Sequence, residues 1–344
     1  MSMFEHRRVK ALTCAIAAGV LLAASAAHAQ TTLRYSPWLP AKYPLNDAVL
    51  KPWMAEVEKV TEGRVKFDWL PKAVGSAPAQ FDTVRDGLAD LSLVLPGYTP
   101  GRFELIELGE LPLLSSDVSK LGPIFYKLYA QHLEPLKPFA GTHVLSIWAT
   151  IPTHVVSAKG IVRQLDDFKG LKLRAPSATA VAVMKQVGAV PVQKPVSEIY
   201  ELASTGIIDG SFFPISTTYD FKVDKALKYM TLVPGGLGQS VMALLVNESK
   251  WKKISEKDRT AIMALSGERI AGAAGVLFGK AEADAIAKAK AERPDEVAVA
   301  GTALMKDLTK ALEPVDEDWF KKAKAKKLAN PEKVLESFRA ELAK

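Results

Sequence analysis

Short strand and helix signals take turns along most of this chain, and that alternation limits its possible folds more than any other feature. "TLRYSPWL" and "RVKFDWL" have strand patterning and flank the helical "LNDAVLKPWMAEVEKVTEG", whose end is marked by Gly63. A short helix in "AQFDTVRDGLAD" leads to a buried strand in "LSLVLPGY" that stops at Pro96-Gly97. An amphipathic helix in "SSDVSKLGPIFYKLYAQHLEPL" and a strand in "THVLSIWAT" follow. Repeated strand-helix-strand units predict an α/β chain with largely parallel sheets and helices on both faces. Ligands of such sheets bind beyond the carboxyl ends of the strands.

One such end carries an arginine. Leu171, Leu173 and Ala175 alternate with Lys172 and Arg174 as a short strand, and Ser177 caps a helix running from Ala178 to Val187. Arg174 is thus expected at the carboxyl end of a strand, beside a helix amino terminus with unpaired N–H groups and partial positive charge. That corner suits an anion, above all a carboxylate held by both arms of the guanidinium. The alternative is a surface arginine paired with an Asp or Glu of its own chain. Trp38, Tyr98, Trp148 and Phe213 also fall at strand ends, where they line a shared cleft or fill the core.

The amino terminus has Arg7, Arg8 and Lys10 before an apolar run from Ala11 to Ala24 and a small-residue site at Ala27-His28-Ala29. This is the pattern of a secretory signal peptide cleaved after Ala29, and the run is short of the roughly 18 to 20 residues that span a bilayer. Cys14, the only cysteine, lies inside that leader. The exported chain is therefore expected to stand in an oxidising compartment on a packed core, without disulfides. About 315 residues remain, room for two domains of roughly 100 to 200 each. The formal net charge is +7, of which +2 falls before residue 30, leaving +5 spread over the rest. Lysine-rich stretches such as "WFKKAKAKKLANPEK" read as solvated helix faces, and no nucleic-acid partner is expected.

From about Ser255 a long Ala-rich helical stretch exceeds what one small domain needs and is expected to bridge two. Beyond the leader the histidines are His132, His143 and His154, in separate elements without zinc spacing, so neither a metal nor another cofactor is expected. No GxSxG elbow is present. "AGVLFGKA" fails as a P-loop because Ala274 and Ala281 replace the first glycine and the hydroxyl residue, and "GGLGQS" lacks the third glycine of a dinucleotide fingerprint.

"LDDFKGLKLRAP", "GAVPVQKPVSEIYELASTGIIDGSFFP" and "VNESKWKKIS", in that order, resemble the signature segments of the periplasmic solute-binding proteins of tripartite ATP-independent (TRAP) transporters, DctP type. "GYTPGRFELIELGELPLL" and "VEKVTEGRVKF" are similar to that family too, so the resemblance spans nearly the whole exported chain. It implies a two-domain, type II-like periplasmic binding protein with a hinge cleft and a long helix spanning both domains. The expected division is residues 30–151 with about 240–282 as one domain and 152–239 with about 283–344 as the other. It also implies capture of a small organic acid, delivered to TRAP membrane subunits, without catalysis. The family's principal ligand contact, the arginine of "GLKLR", is here Arg174.

Three departures bear on the ligand. Where many dicarboxylate and sugar-acid members carry a second arginine, this chain has His154 at or near the position. Phe213 stands where those members often use an asparagine, and Val196 where they place an aromatic. Fewer hydrogen bonds and more apolar surface imply a monocarboxylate or an acid with an apolar or aromatic body, with Tyr98 or Trp38 contributing from the opposite domain. His154 either meets a second polar group or is a satisfied interdomain histidine. Two rival readings are a binding protein of an ATP-driven transporter and a periplasmic enzyme acting on a carboxylate with His154 as base.

Overall fold

The computed structural model describes residues 30–344; the leader and its cleavage site lie outside the described residues. The strands are β1 (Thr31–Ser36), β2 (Val65–Trp69), β3 (Leu91–Val94), β4 (Thr142–Ala149), β5 (His154–Ser157), β6 (Lys172–Ala175), β7 (Val190–Gln193), β8 (Gly210–Phe213), β9 (Tyr229–Leu232), β10 (Val241–Asn247) and β11 (Val297–Val299). They form two sheets, ordered β2-β1-β3-β10-β4 and β11-β9-β5-β8-β6-β7. Helices cover the sheets, so inner strands such as β3, β8 and β10 are buried on both faces and read in sequence as largely apolar runs, whereas the edge strands β2, β7 and β11 are partly exposed. β10 is buried at every position.

The sheets are less parallel than the alternation predicts. β10 runs antiparallel to both β3 and β4, and β5 antiparallel to both β8 and β9. Both reversals have one cause. β4 ends at the edge facing the second sheet, and the chain crosses over residues 150–153 to begin β5 at that same edge. β9 likewise ends there and the chain returns over residues 233–240 to begin β10. A strand that enters from across the gap must run away from it, against its neighbours.

The helices are α1 (Lys51–Val60), α2 (Gln80–Arg85), α3 (Val118–Leu128), α4 (Ala178–Gln186), α5 (Ile199–Ser204), α6 (Ile215–Asp220), α7 (Glu248–Lys253), α8 (Glu256–Leu265), α9 (Gly267–Glu292), α10 (Thr302–Ala325) and α11 (Pro331–Ala343). The long helix expected from Ser255 is broken: α8 and α9 part at Ser266. There the Ser266 hydroxyl accepts from the Trp53 indole N–H at 3.1 Å and donates to the Ile262 carbonyl at 2.7 Å. Gly267 follows with φ +54, and a Cβ there would sit 2.6 Å from the Tyr126 hydroxyl.

α9 is the third link between the sheets. Its first half packs on α3 so closely that a Cβ at Gly122 would stand 2.6 Å from the Ala271 carbonyl oxygen, and one at Gly275 2.9 Å from that of Val118. Its second half carries Glu282, whose carboxylate accepts the backbone N–H groups of Ile215 and Ser216 at 2.7 and 2.8 Å and the Ser216 hydroxyl at 2.6 Å. That fixes the start of α6 beyond the second sheet. The end of the chain is shared as well. α10 leans on α4, whereas α11 packs on α3, with Phe338 5.9 Å from Phe125. Residues 331–343 thus pack beside the first sheet, whereas the sequence places everything after 283 with the second.

Candidate functional site

The carboxyl ends of β1, β3 and β4 face those of β6, β8 and β9 across one cavity. It encloses about 570 Å³ of atom-free space, its opening included. Its wall is mostly apolar and aromatic, which is the usual make-up of a small-molecule site with a few fixed polar groups.

Among the described residues, Arg174 is the one charged side chain in that wall, and it is only 2 % exposed. β6 places it: Leu173 and Ala175 turn into the core, and Arg174 pairs across the strands with Val192 and Ser211. Its Nε donates to the Lys194 carbonyl at 2.7 Å, which fixes the plane of the guanidinium. Nη2 is buried with no hydrogen-bond partner among the described residues. Burial lowers the guanidinium pKa, and the neighbouring Tyr98 opposes that shift. A buried cation with an idle donor is costly unless an acceptor arrives. α4 begins where the sequence predicts, the Ser177 side chain accepting from the Ala180 N–H at 3.2 Å.

Tyr98 follows β3 and faces Arg174 from the other side. Its hydroxyl accepts the Val196 N–H at 3.1 Å, leaving its own proton free to donate. Burial raises the phenol pKa and Arg174 pulls it back. Trp38 meets Tyr98 edge-on at 6.1 Å and spends its indole N–H on the Leu93 carbonyl at 2.8 Å, so it offers the cavity only its ring. Phe213 closes the opposite side under the Arg174 guanidinium, 5.9 Å from its ring centre. Arg174, Tyr98, Trp38, Phe213 and Val196 therefore come together on one cavity.

Trp148 and His154 do not line it. Trp148 shares a sheet face with its cross-strand partner Met242, which does line the cavity, but its own side chain is fully buried under α3 next to Gly122. Its position near the strand end is as expected, since β4 stops at Ala149; burial under α3 keeps its ring from the cavity. His154 sits opposite Phe213 in the sheet but behind the wall. Its Nδ1 accepts the Val233 N–H at 3.0 Å and its Nε2 lies 3.8 Å from Glu282. Burial lowers its pKa to about 4, so at neutral pH the Glu282 contact is not an ion pair. Both ring nitrogens serve the junction of the crossing segments and α9, the structural alternative for this residue.

Sequence reasoning missed the far wall. Tyr43, Phe221 and Phe278 continue the aromatic surface, Phe221 standing 6.3 Å from Phe213 and Tyr43 6.4 Å from Phe221. They come from a loop, a turn and a long helix, where no periodicity marks a lining residue. Thr150 and Ser240 enter from the two crossing segments. Glu110 was also passed over. It is 3 % exposed beside Gly97 and Ser177, with Oε2 unpartnered among the described residues. Burial, with Glu107 close by, raises its pKa to about 8.

Residues 35–323 match the family of bacterial extracellular solute-binding proteins, family 7. A protein of Comamonas testosteroni named outer membrane transporter protein TsaT is 27 % identical over 340 residues, covering 98 % of both chains. Among solved structures, a TRAP periplasmic solute binding protein from Bordetella bronchiseptica with bound (R)-mandelate and (S)-mandelate is 35 % identical, with TM-score 0.86, covering 91 % of this chain and 98 % of that one. A TRAP solute binding protein from Rhodoferax ferrireducens in complex with copurified benzoate has TM-score 0.83 over 91 % of this chain and 98 % of its own, and at 24 % identity shares the fold.

Proposed function

Since this chain belongs to family 7 of the bacterial extracellular solute-binding proteins, we propose that its cavity captures a monocarboxylic acid with an aromatic or apolar body for TRAP membrane subunits. The observation that carries the reading is the idle Nη2 of a buried Arg174 above the Phe213 ring. A carboxylate there completes the guanidinium's hydrogen bonds, and a flat apolar body meets Phe213, Trp38 and the rings beyond. The relative that binds mandelate, an aromatic monocarboxylate, is in keeping with this.

In this reading the protein works in the periplasm after cleavage at Ala29 and releases its ligand chemically unchanged. Its two domains are residues 30–151 with about 240–282, joined by α11, and 152–239 with about 283–330. They close when the acid bridges Arg174 and Tyr98, because a ligand shifts such an equilibrium only through contacts made better in the closed form. The test is a thermal-shift and calorimetric screen of ligand-stripped protein with benzoate, mandelate, pyruvate, succinate and glucuronate. Stabilisation by the aromatic monocarboxylates, absent in Arg174→Ala, is expected, with the acid recovered unaltered. Stabilisation by succinate or glucuronate alone would overturn the ligand class.

A further inference from the structure

The cavity has a second idle polar group, separated from Arg174 by the rings of Phe213 and Phe221. Tyr43 is 6 % exposed, lines the cavity, and its hydroxyl makes no hydrogen bond with any described residue. Its ring is wedged between Phe221 at 6.4 Å and Phe278 at 6.5 Å, so the phenol cannot turn away. Thr150, Thr217 and Ser240 also bring hydroxyls to the wall, but a Ser or Thr hydroxyl can rotate towards nearby backbone carbonyls. The Tyr43 hydroxyl has no such refuge.

Arg174 and Tyr43 stand at the two ends of a run of rings: the guanidinium over Phe213, Phe213 against Phe221, and Phe221 against Tyr43. The charged groups whose field reaches Tyr43 are Asp220 and Glu282, both acidic. Glu282 is buried and Asp220 lies at the surface. A second carboxylate at this end would meet like charge, whereas a neutral hydroxyl can donate and accept there.

We infer that Tyr43 sets specificity by bonding a neutral polar substituent, a hydroxyl above all, on the ligand's ring remote from its carboxylate. The inference rests on the aromatic monocarboxylate reading above. It makes the preferred ligand a ring-hydroxylated aromatic acid, and it makes aromatic dicarboxylates poor ligands.

The test measures dissociation constants by calorimetry on ligand-stripped protein for benzoate, 3- and 4-hydroxybenzoate, and benzene-1,3- and 1,4-dicarboxylate. At least one hydroxybenzoate should bind about ten-fold tighter than benzoate, and the dicarboxylate of the same substitution more weakly than benzoate. In Tyr43→Phe the ratio between benzoate and that hydroxybenzoate should fall to within about two-fold. An unchanged ratio in the variant, or none in the wild type, overturns the inference and leaves the carboxylate reading intact. If no acid of the set binds the wild type, the carboxylate reading itself falls. Should Tyr43→Phe bind nothing, Asp220→Asn decides, since it should favour the dicarboxylate over the hydroxybenzoate by about two- to three-fold; no change there also overturns the inference.

Discussion

The Tyr98 hydroxyl accepts the backbone N–H of Val196 at 3.1 Å, and this bond ties a turn beyond the first sheet to one beyond the second. Because Tyr98 also borders Arg174, the proposed ligand anchor and the contact between the two halves share one side chain. Tyr98→Phe keeps the ring and removes the bond. A net hydrogen bond of about 0.5 to 1.5 kcal/mol predicts a two- to ten-fold loss of affinity for the cognate acid, seen mainly as faster release in stopped-flow measurements.

Arg174→Ala should weaken binding by roughly 2 to 5 kcal/mol, as for truncating one side of a buried charge pair. Arg174→Lys should recover only part of that, because the bond from Nε to the Lys194 carbonyl and the planar fork are both lost. Calorimetry on both variants checks this; a lysine variant equal to wild type would show that charge alone suffices.

Stability should fall as pH rises from 6.5 to 8. The Glu110 pKa is raised from 4.5 to about 8, so over that window the unfolded chain has released a proton that the folded chain retains. Stability then declines by up to about 1.4 kcal/mol per pH unit. His143 and His154, both lowered to about 4, act in the opposite sense but only below about 6.5, where the unfolded state is the one holding more protons. The melting temperature of wild type should therefore drop between pH 6.5 and 8, and Glu110→Gln should flatten that drop.

Gly122→Ala should destabilise by roughly 1 to 3 kcal/mol through overpacking, since its Cβ would lie 2.6 Å from the Ala271 carbonyl oxygen and only a shift of α9 relieves it. For a chain of this size that is a melting temperature lowered by several degrees, about 2 to 4 °C per kcal/mol. The same change at Gly101, which has open space around it but φ +77, should cost less.

Much of this was legible in advance because it is local. Ser177 caps α4 and Arg174 ends β6 as their sequence patterns require, and Gly63, with φ +74, ends the helical stretch of α1. What stayed hidden depends on pairing between distant segments. The antiparallel course of β5 and β10 follows from the crossings and not from their own residues. Trp148 does stand near the end of β4, but nothing in its neighbours reveals that α3 covers its ring. Glu110 and Tyr43 matter through what surrounds them: Gly97 and Ser177 for one, Phe221 and Phe278 for the other. The resemblance between short motifs pointed to Arg174, which does line the cavity, but gave no sign that the histidine aligned with a second arginine is turned to the crossing segments.

β10 lies between β3 and β4, yet it is made after every strand of the second sheet except β11. A chain that emerges amino terminus first thus leaves a gap in its first sheet until residue 247 is free, and neither half can finish before most of the other has appeared. Such a weave gains nothing from co-translational folding on the ribosome. It suits a polypeptide that is held unfolded, threaded through a membrane, and allowed to collapse only when nearly all of it has arrived on the far side.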